Sequence, residues 1–232
     1  MLFLARYHTI LFDADNTLLD FFASEHEALS DALRLFGIDP TKEVIQTYSR
    51  INAETWKRLE RGEITKDQLR VLRFEDFCKH YGFEIDVQGL ASVYTELLAN
   101  KIFLMDGALE TCRALCESCR LYVITNGMAS VQHGRFDPSP LAPLFQASFI
   151  SDEIGIEKPQ QGFFDHVKRN IPDFCAADTL VVGDSLTSDI AGGIAAGLDT
   201  CWFNPDKKAA PEGMSITYTI HELKELIPLV LG

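Results

Sequence analysis

Two aspartates stand two residues apart in Asp13-Ala14-Asp15-Asn16-Thr17, directly after an apolar run at residues 7–12. In extended chain, side chains at i and i+2 point the same way about 7 Å apart, so both carboxylates can face one crevice. Two acids that close are costly unless a cation neutralises them or they divide roles. One can then be a nucleophile while the other moves a proton. A solvated acidic turn would carry the same letters.

Three further segments hold groups of the same chemical bent. Thr125-Asn126-Gly127 follows a second apolar run and offers a hydroxyl, an amide and flexible backbone to an oxyanion or phosphate. It reads equally as a strand-to-helix turn with a polar cap. Lys158, in Glu157-Lys158-Pro159, is a compact charge suited to phosphate oxygens, or a surface lysine ahead of a helix. Gly183-Asp184-Ser185-Leu186-Thr187-Ser188-Asp189 ends another apolar run with a carboxylate and adds a second five residues on. Hard oxygen donors of this kind suit Mg²⁺, which binds few protein carboxylates and keeps several waters. Asp189 also reads as an acid placed at a helix N-terminus.

These groups need elements to position them. Short apolar runs at residues 7–12, 121–125, 148–150 and 179–182 stop at polar residues, as buried parallel strands do. Residues 200–203 and 216–219 add candidate edge strands. Helical patterns at 107–117, 161–170, 188–196 and 221–230 separate most of them, which predicts βαβ units and a doubly wound parallel α/β sheet. Ligands in such sheets sit beyond the carboxyl ends of the strands, where every motif above falls. One interval breaks the alternation. Helix-period segments at 25–36, 42–61, 66–81 and 87–100 predict an all-helical domain at 20–100, inserted into an α/β core of 1–19 and 101–232.

Composition bounds the answer. The chain has 232 residues, 47% hydrophobic and 24% charged, which is ordinary for a globular protein. A net charge of −13 repels phosphate backbones and argues against gripping a nucleic acid polymer. No apolar stretch is long enough to span a bilayer and residues 1–6 are too short for a leader, so the expected location is cytoplasmic, with no membrane partner. Six cysteines fit that compartment. Cys112, Cys116 and Cys119 share a helical face, yet three thiolates on one helix are poorly arranged around a tetrahedral ion; small buried hydrophobes are the expectation.

The order acid pair, hydroxyl-amide, lysine, acid pair resembles the haloacid dehalogenase superfamily of aspartyl-phosphate phosphatases. Asp13, Asp15, Thr17, Thr125, Lys158, Asp184 and Asp189 fall on its motif positions, and the helical interval resembles the cap of its helical-cap subclass. The stretches FDADNTLL at 12–19, ITNG at 124–127 and GGIAAGLDTCWFN at 192–204 are similar to bacterial pyrimidine 5′-nucleotidases, as are RGEIT at 61–65 and PEG at 211–213. Residues 132–143 depart from that pattern, carrying three prolines where such relatives continue a helix.

The resemblance implies a mechanism. Asp13 would attack phosphorus and Asp15 would protonate the leaving group, then take a proton from the hydrolytic water. Mg²⁺ would be held by Asp13, the Asp15 carbonyl and Asp184, with Asp189 in the outer shell. Thr125, the Asn126 backbone and Lys158 would hold the phosphoryl oxygens. The expected substrate is a small phosphorylated metabolite, foremost a pyrimidine nucleoside monophosphate, chosen by cap residues such as Phe21, Asn52 and Trp56. Sugar phosphates or phosphoglycolate are the competing substrates. A haloacid dehalogenase would lack the second acid supplied by Asp15. A phosphoacceptor signalling domain would be about half this length, and a catalytically silent phosphate-binding protein need not keep every competent residue.

Overall fold

The computed structural model describes residues 5–232, so the first four residues of the expected 1–19 segment lie outside it. The chain divides into two compact units: the segment ending at Phe21 joined with Ile102–Gly232, and Phe22–Lys101.

After the first strand, β1 (Thr9–Phe12), come four helices: α1 (Phe21–Leu35), α2 (Lys42–Glu60), α3 (Lys66–Tyr81) and α4 (Val87–Ala99). Their starts are written locally. The Thr41 and Asp86 side chains accept from the backbone N–H groups of Val44 and Gly89, and Thr65 with Gln68 forms a reciprocal capping box. Inside this unit Tyr48 packs its ring against Phe74, Phe77 and Tyr94. Arg73 lies 5.3 Å over the Phe74 ring and 5.0 Å over that of Tyr94.

The second unit holds the sheet. With β2 (Arg120–Thr125), β3 (Phe145–Ile150), β4 (Thr179–Gly183), β5 (Asp199–Phe203) and β6 (Tyr218–Ile220), six strands run parallel in the order β3-β2-β1-β4-β5-β6. The chain reverses its direction of travel across the sheet between β1 and β4, and a crevice opens at such a switch point. The connecting helices are α5 (Ala108–Leu115), α6 (Ala129–Phe136), α7 (Ser151–Ile154), α8 (Gln161–Asn170), α9 (Ala191–Ala195) and α10 (Leu226–Leu231).

Period-2 alternation divides the strands between two apolar layers. Ile10, Phe12, Val123 and Val182 pack with Ala108, Cys112 and Leu115 of α5 and Leu226 and Val230 of α10. Leu11, Ile124 and Val181 pack with Phe163, Phe164 and Val167 of α8. Every residue of β1 and β4 is buried, which is why both read as unbroken apolar runs. Several boundaries differ from the sequence pattern. The edge strand sits at Tyr218–Ile220, the segment 188–196 opens with a π-helical turn at Leu186–Ile190, and 221–230 begins with a 3₁₀ turn at Leu223–Glu225. The chain stays helical through Phe136, so the prolines at 138, 140 and 143 follow α6 rather than break it. Cys112 and Cys119 are buried as expected of small hydrophobes, and the Cys119 thiol donates to the Tyr7 carbonyl.

Candidate active site

The sheet delivers its polar side chains at adjacent strand ends. Asp13 leaves β1, its N–H donating to the Val182 carbonyl at 2.8 Å, so the last register position of β1 against β4 fixes where its carboxylate emerges. Thr125 ends β2 and Asp184 follows β4. The Trp202 indole on β5 donates to the Asp184 carbonyl at 2.9 Å, holding the chain as it leaves the sheet.

Lys158 lies at the centre. Its side chain is 1% exposed, and its Nζ donates to Asp13 Oδ1 at 2.7 Å, Asp189 Oδ1 at 2.6 Å and the Ile124 carbonyl at 2.8 Å. Three acceptors match the three protons of an ammonium. The backbone of Lys158 is braced as well: the Asn126 carboxamide accepts from its N–H at 2.8 Å and donates to its carbonyl at 2.9 Å. The Asn126 amide is therefore committed to Lys158, which corrects its expected use as a donor to a ligand.

Asp189 is fully buried in the π-helical turn, and its Oδ2 accepts from the Ser185 N–H at 3.1 Å. Gly183 makes room for it. A Cβ there would lie 2.3 Å from Asp189 Oδ2 and 2.4 Å from its Cγ, inside van der Waals contact. Ligand atoms of Asp13, Asp184 and Asp189 all lie within 4.8 Å of one another. Three carboxylates thus face a single ammonium. Burial first, then the charges of Asp189 and Asp184, push Asp13 well above the ordinary carboxylate range, with Lys158 pulling the other way. Burial and the Asp189 charge push Asp184 up to about 7. Burial works against the charge of Lys158, but Asp13 and Asp189 outweigh it and its net shift is upward. Such a cluster fits a divalent cation: oxygen-only donors that, once all three are ionised, carry two more negative charges than Lys158 balances.

Asp15 stands apart from this group. Its Oδ1 accepts from Arg135 Nη1 and its Oδ2 from Gln132 Nε2 at 2.6 Å. Thr17 is buried, and its hydroxyl has no hydrogen-bond partner among the described residues. Of the residues expected to meet a leaving group, Phe21 is half-buried with the Arg135 guanidinium 5.7 Å from its ring centroid. Trp56 is half-buried on α2. Asn52 is buried: its Nδ2 donates to Glu25 at 2.6 Å and its Oδ1 accepts from Arg73 at 3.0 Å. Its carboxamide serves the interior of the helical unit, a correction to the amide expected to read a base edge.

A sequence profile of haloacid dehalogenase-like hydrolases matches residues 7–197. The chain belongs to the haloacid dehalogenase-like hydrolases. Within this family it is 41% identical to HAD-hydrolase YfnB of Bacillus subtilis over 95% of this chain and 94% of that protein. It is 36% identical to pyrimidine 5′-nucleotidase PynA of Streptococcus pneumoniae, covering 95% and 94%. It is 31% identical to pyrimidine 5′-nucleotidase YjjG of Escherichia coli, covering 97% and 98%. A magnesium-bound crystal structure of YfnB superposes with a TM-score of 0.92 at 40% identity, over 97% of this chain and 98% of that one.

The strand ends bring Asp13, Lys158, Asp184 and Asp189 together, and two side chains that the sequence pattern did not single out bond to Asp15. Gln132 and Arg135 were missed because the prolines that follow made 132–143 look irregular. Their i, i+3 spacing, which sets both on one helix face, was the available signal.

Proposed function

We propose that this hydrolase cleaves phosphomonoesters with Mg²⁺ through an aspartyl-phosphate on Asp13, and that its substrates are pyrimidine nucleoside monophosphates. The observation that carries the reading is the charge count at the β1–β4 switch point. Asp13, Asp184 and Asp189 face one ammonium, leaving two charges that a divalent cation matches. Asp13 and Asp184 would hold the ion together with the Asp15 carbonyl, and Asp189, already bonded to Lys158 and Ser185, would act from the outer shell. When bound, the ion supplies charge neutralisation for an anionic substrate beside anionic residues.

The chain's own residues supply the rest. Lys158 engages Oδ1 of Asp13, which leaves Oδ2 to attack phosphorus. As the P–O bond to the leaving group breaks, Asp15 gives its proton to the departing alkoxide. Asp15 then takes a proton from water as that water attacks phosphorus, and the bond to Asp13 breaks to release phosphate. The Thr125 hydroxyl accepts from the Gly127 N–H at 3.0 Å, which leaves its own proton to donate to a phosphoryl oxygen. The Asn126 backbone N–H would share that task, while Lys158, its three protons already engaged, would act through its charge and its hold on Asp13.

The substrate class rests on the names of PynA and YjjG at 36% and 31% identity. The helical unit is inserted in the chain directly after the Asp15 loop and resembles the cap of the helical-cap subclass; Trp56 within it and Phe21 just before it are the candidates for choosing the leaving group. No helix among the described residues is long and apolar enough to cross a membrane. The test is kcat/KM with Mg²⁺ for UMP, dUMP and dTMP against AMP, GMP, phosphoglycolate and glucose phosphates. The pyrimidine monophosphates should lead, and Asp13→Asn should abolish turnover with the fold intact. Better rates on purines or sugars would overturn the substrate class, and phosphate release by Asp13→Asn would overturn the covalent route.

A further inference from the structure

Asp15 is held in a way that its position on a loop does not require. Each of its two oxygens accepts from a different side chain, Arg135 on Oδ1 and Gln132 on Oδ2, and both donors stand on one face of α6. Neither donor is a surface group. The Arg135 side chain is 0% exposed and backed by the Phe21 ring, while the Asp15 side chain keeps 25% of its surface open. Gln132 is seated against Gly127, where a Cβ would come 2.1 Å from its Nε2. The clamp on α6 thus packs, through Gln132, against the turn after β2, the same turn whose Asn126 braces Lys158.

We infer that Gln132 and Arg135 are positioning residues that fix the rotamer of Asp15 for proton transfer to and from the leaving group. The inference deepens the proposed phosphatase reading and rests on it. An unrestrained aspartate samples several χ1 and χ2 wells, and one donor on one oxygen would still let the carboxylate swing. Two donors on two oxygens, both rooted in one helix, lock both torsions. Each carboxylate oxygen has two lone pairs, so the clamp engages one on each and leaves the other for proton traffic. A proton donor displaced by about 1 Å loses on the order of 10²-fold in rate, so fixing that rotamer has a kinetic consequence.

The consequence is specific to the leaving group. An alkoxide needs a proton as it departs, whereas a nitrophenolate leaves without one. The test therefore compares kcat/KM, which reports phosphoryl transfer to Asp13, on an alkyl phosphomonoester and on p-nitrophenyl phosphate. Arg135→Met and Gln132→Met remove the donors at similar length. Each should lose about 10²-fold on the alkyl ester and less than about threefold on the nitrophenyl ester. Adding either to Asp15→Asn should cost nothing further on the alkyl ester, because the clamp acts only through Asp15. Equal losses on both esters, or losses that add to Asp15→Asn, would reduce the pair to a structural brace and overturn the inference. Should Arg135→Met fail to fold, as circular dichroism would show, Gln132→Met carries the same comparison. An Asp15→Asn enzyme that loses both esters equally in kcat/KM would overturn the proton-transfer reading itself. A leaving-group-selective Asp15→Asn beside unselective clamp variants would overturn the clamp alone.

Discussion

The carboxylate cluster makes a quantitative demand on stability. Burial and Asp189 raise Asp184 from 3.8 to about 7 in the folded chain. Below the lower value the carboxyl is protonated in both states and contributes nothing. Between the two values the folded state holds a proton that the unfolded chain has released, so stability falls as pH rises. Above about 7 the full cost is present, roughly three pKa units or ~4 kcal/mol. From pH 5 to pH 8 about two of those units are crossed, a loss of ~3 kcal/mol from a typical total of 5–15 kcal/mol. Asp13 is raised in the same direction and adds to the loss. A divalent cation favours the ionised carboxylates and should reverse the trend, binding more tightly as pH rises. Urea denaturation in chelator at pH 5 and pH 8 measures the fall. Trp202, buried on β5 with its indole bonded to the Asp184 carbonyl, reports from the sheet once Trp56→Phe silences the other tryptophan. Asp184→Asn should flatten the profile, and Mg²⁺ should stabilise more at pH 8 than at pH 5. A profile in chelator that Asp184→Asn leaves unchanged would refute the reasoning.

Two other substitutions probe how the site is built. Gly183→Ala would place a methyl 2.3 Å from Asp189 Oδ2, driving the carboxylate off Lys158. We expect a loss of about 3–5 kcal/mol in urea denaturation, as for a broken buried ion pair, and near-normal stability would show that Asp189 can relocate at little cost. Asn126→Leu removes both bonds that hold the Lys158 backbone. The inhibition constant for inorganic phosphate should rise about tenfold, near 1.4 kcal/mol for two neutral hydrogen bonds, while an unchanged constant would show that Lys158 is positioned without them.

How much of this was legible in the sequence depends on the kind of information each feature needs. β1 and β4 are sandwiched between two apolar layers, so they read as continuous runs, and their abrupt polar ends marked Asp13 and Asp184. The caps at Thr41, Thr65 and Asp86 lie within three residues of the groups they satisfy, and the helices after them start where the pattern placed them. Long-range pairing was not legible. Asn52 had the chemistry to read a base, but its neighbours in space, Glu25 and Arg73, lie 27 and 21 residues away, and nothing in the helical period records that they meet. The π-helical turn at Leu186–Ile190 was hidden for a related reason. Within it Asp189 fits against Gly183 and bonds to Lys158, contacts that the helical period does not record, beside the local cap of Ser185 on the Ser188 N–H.

The same long-range pairing explains how a chain with a net charge of −13 can be suited to an anionic ester. Lys158 does not present a free positive charge, since its three protons are taken by Asp13, Asp189 and the Ile124 carbonyl. Burying an ion pair yields little net stability, and here the lysine is outnumbered by three carboxylates. What the arrangement gives is geometry: one ammonium ties the ends of β1, β2 and the turn after β4 to a common point. A site assembled this way is left short of positive charge until a cation joins it. That deficit places the carboxylates where a divalent ion and a phosphoryl group can be held together, at the one position in the sheet where the strand order opens a crevice.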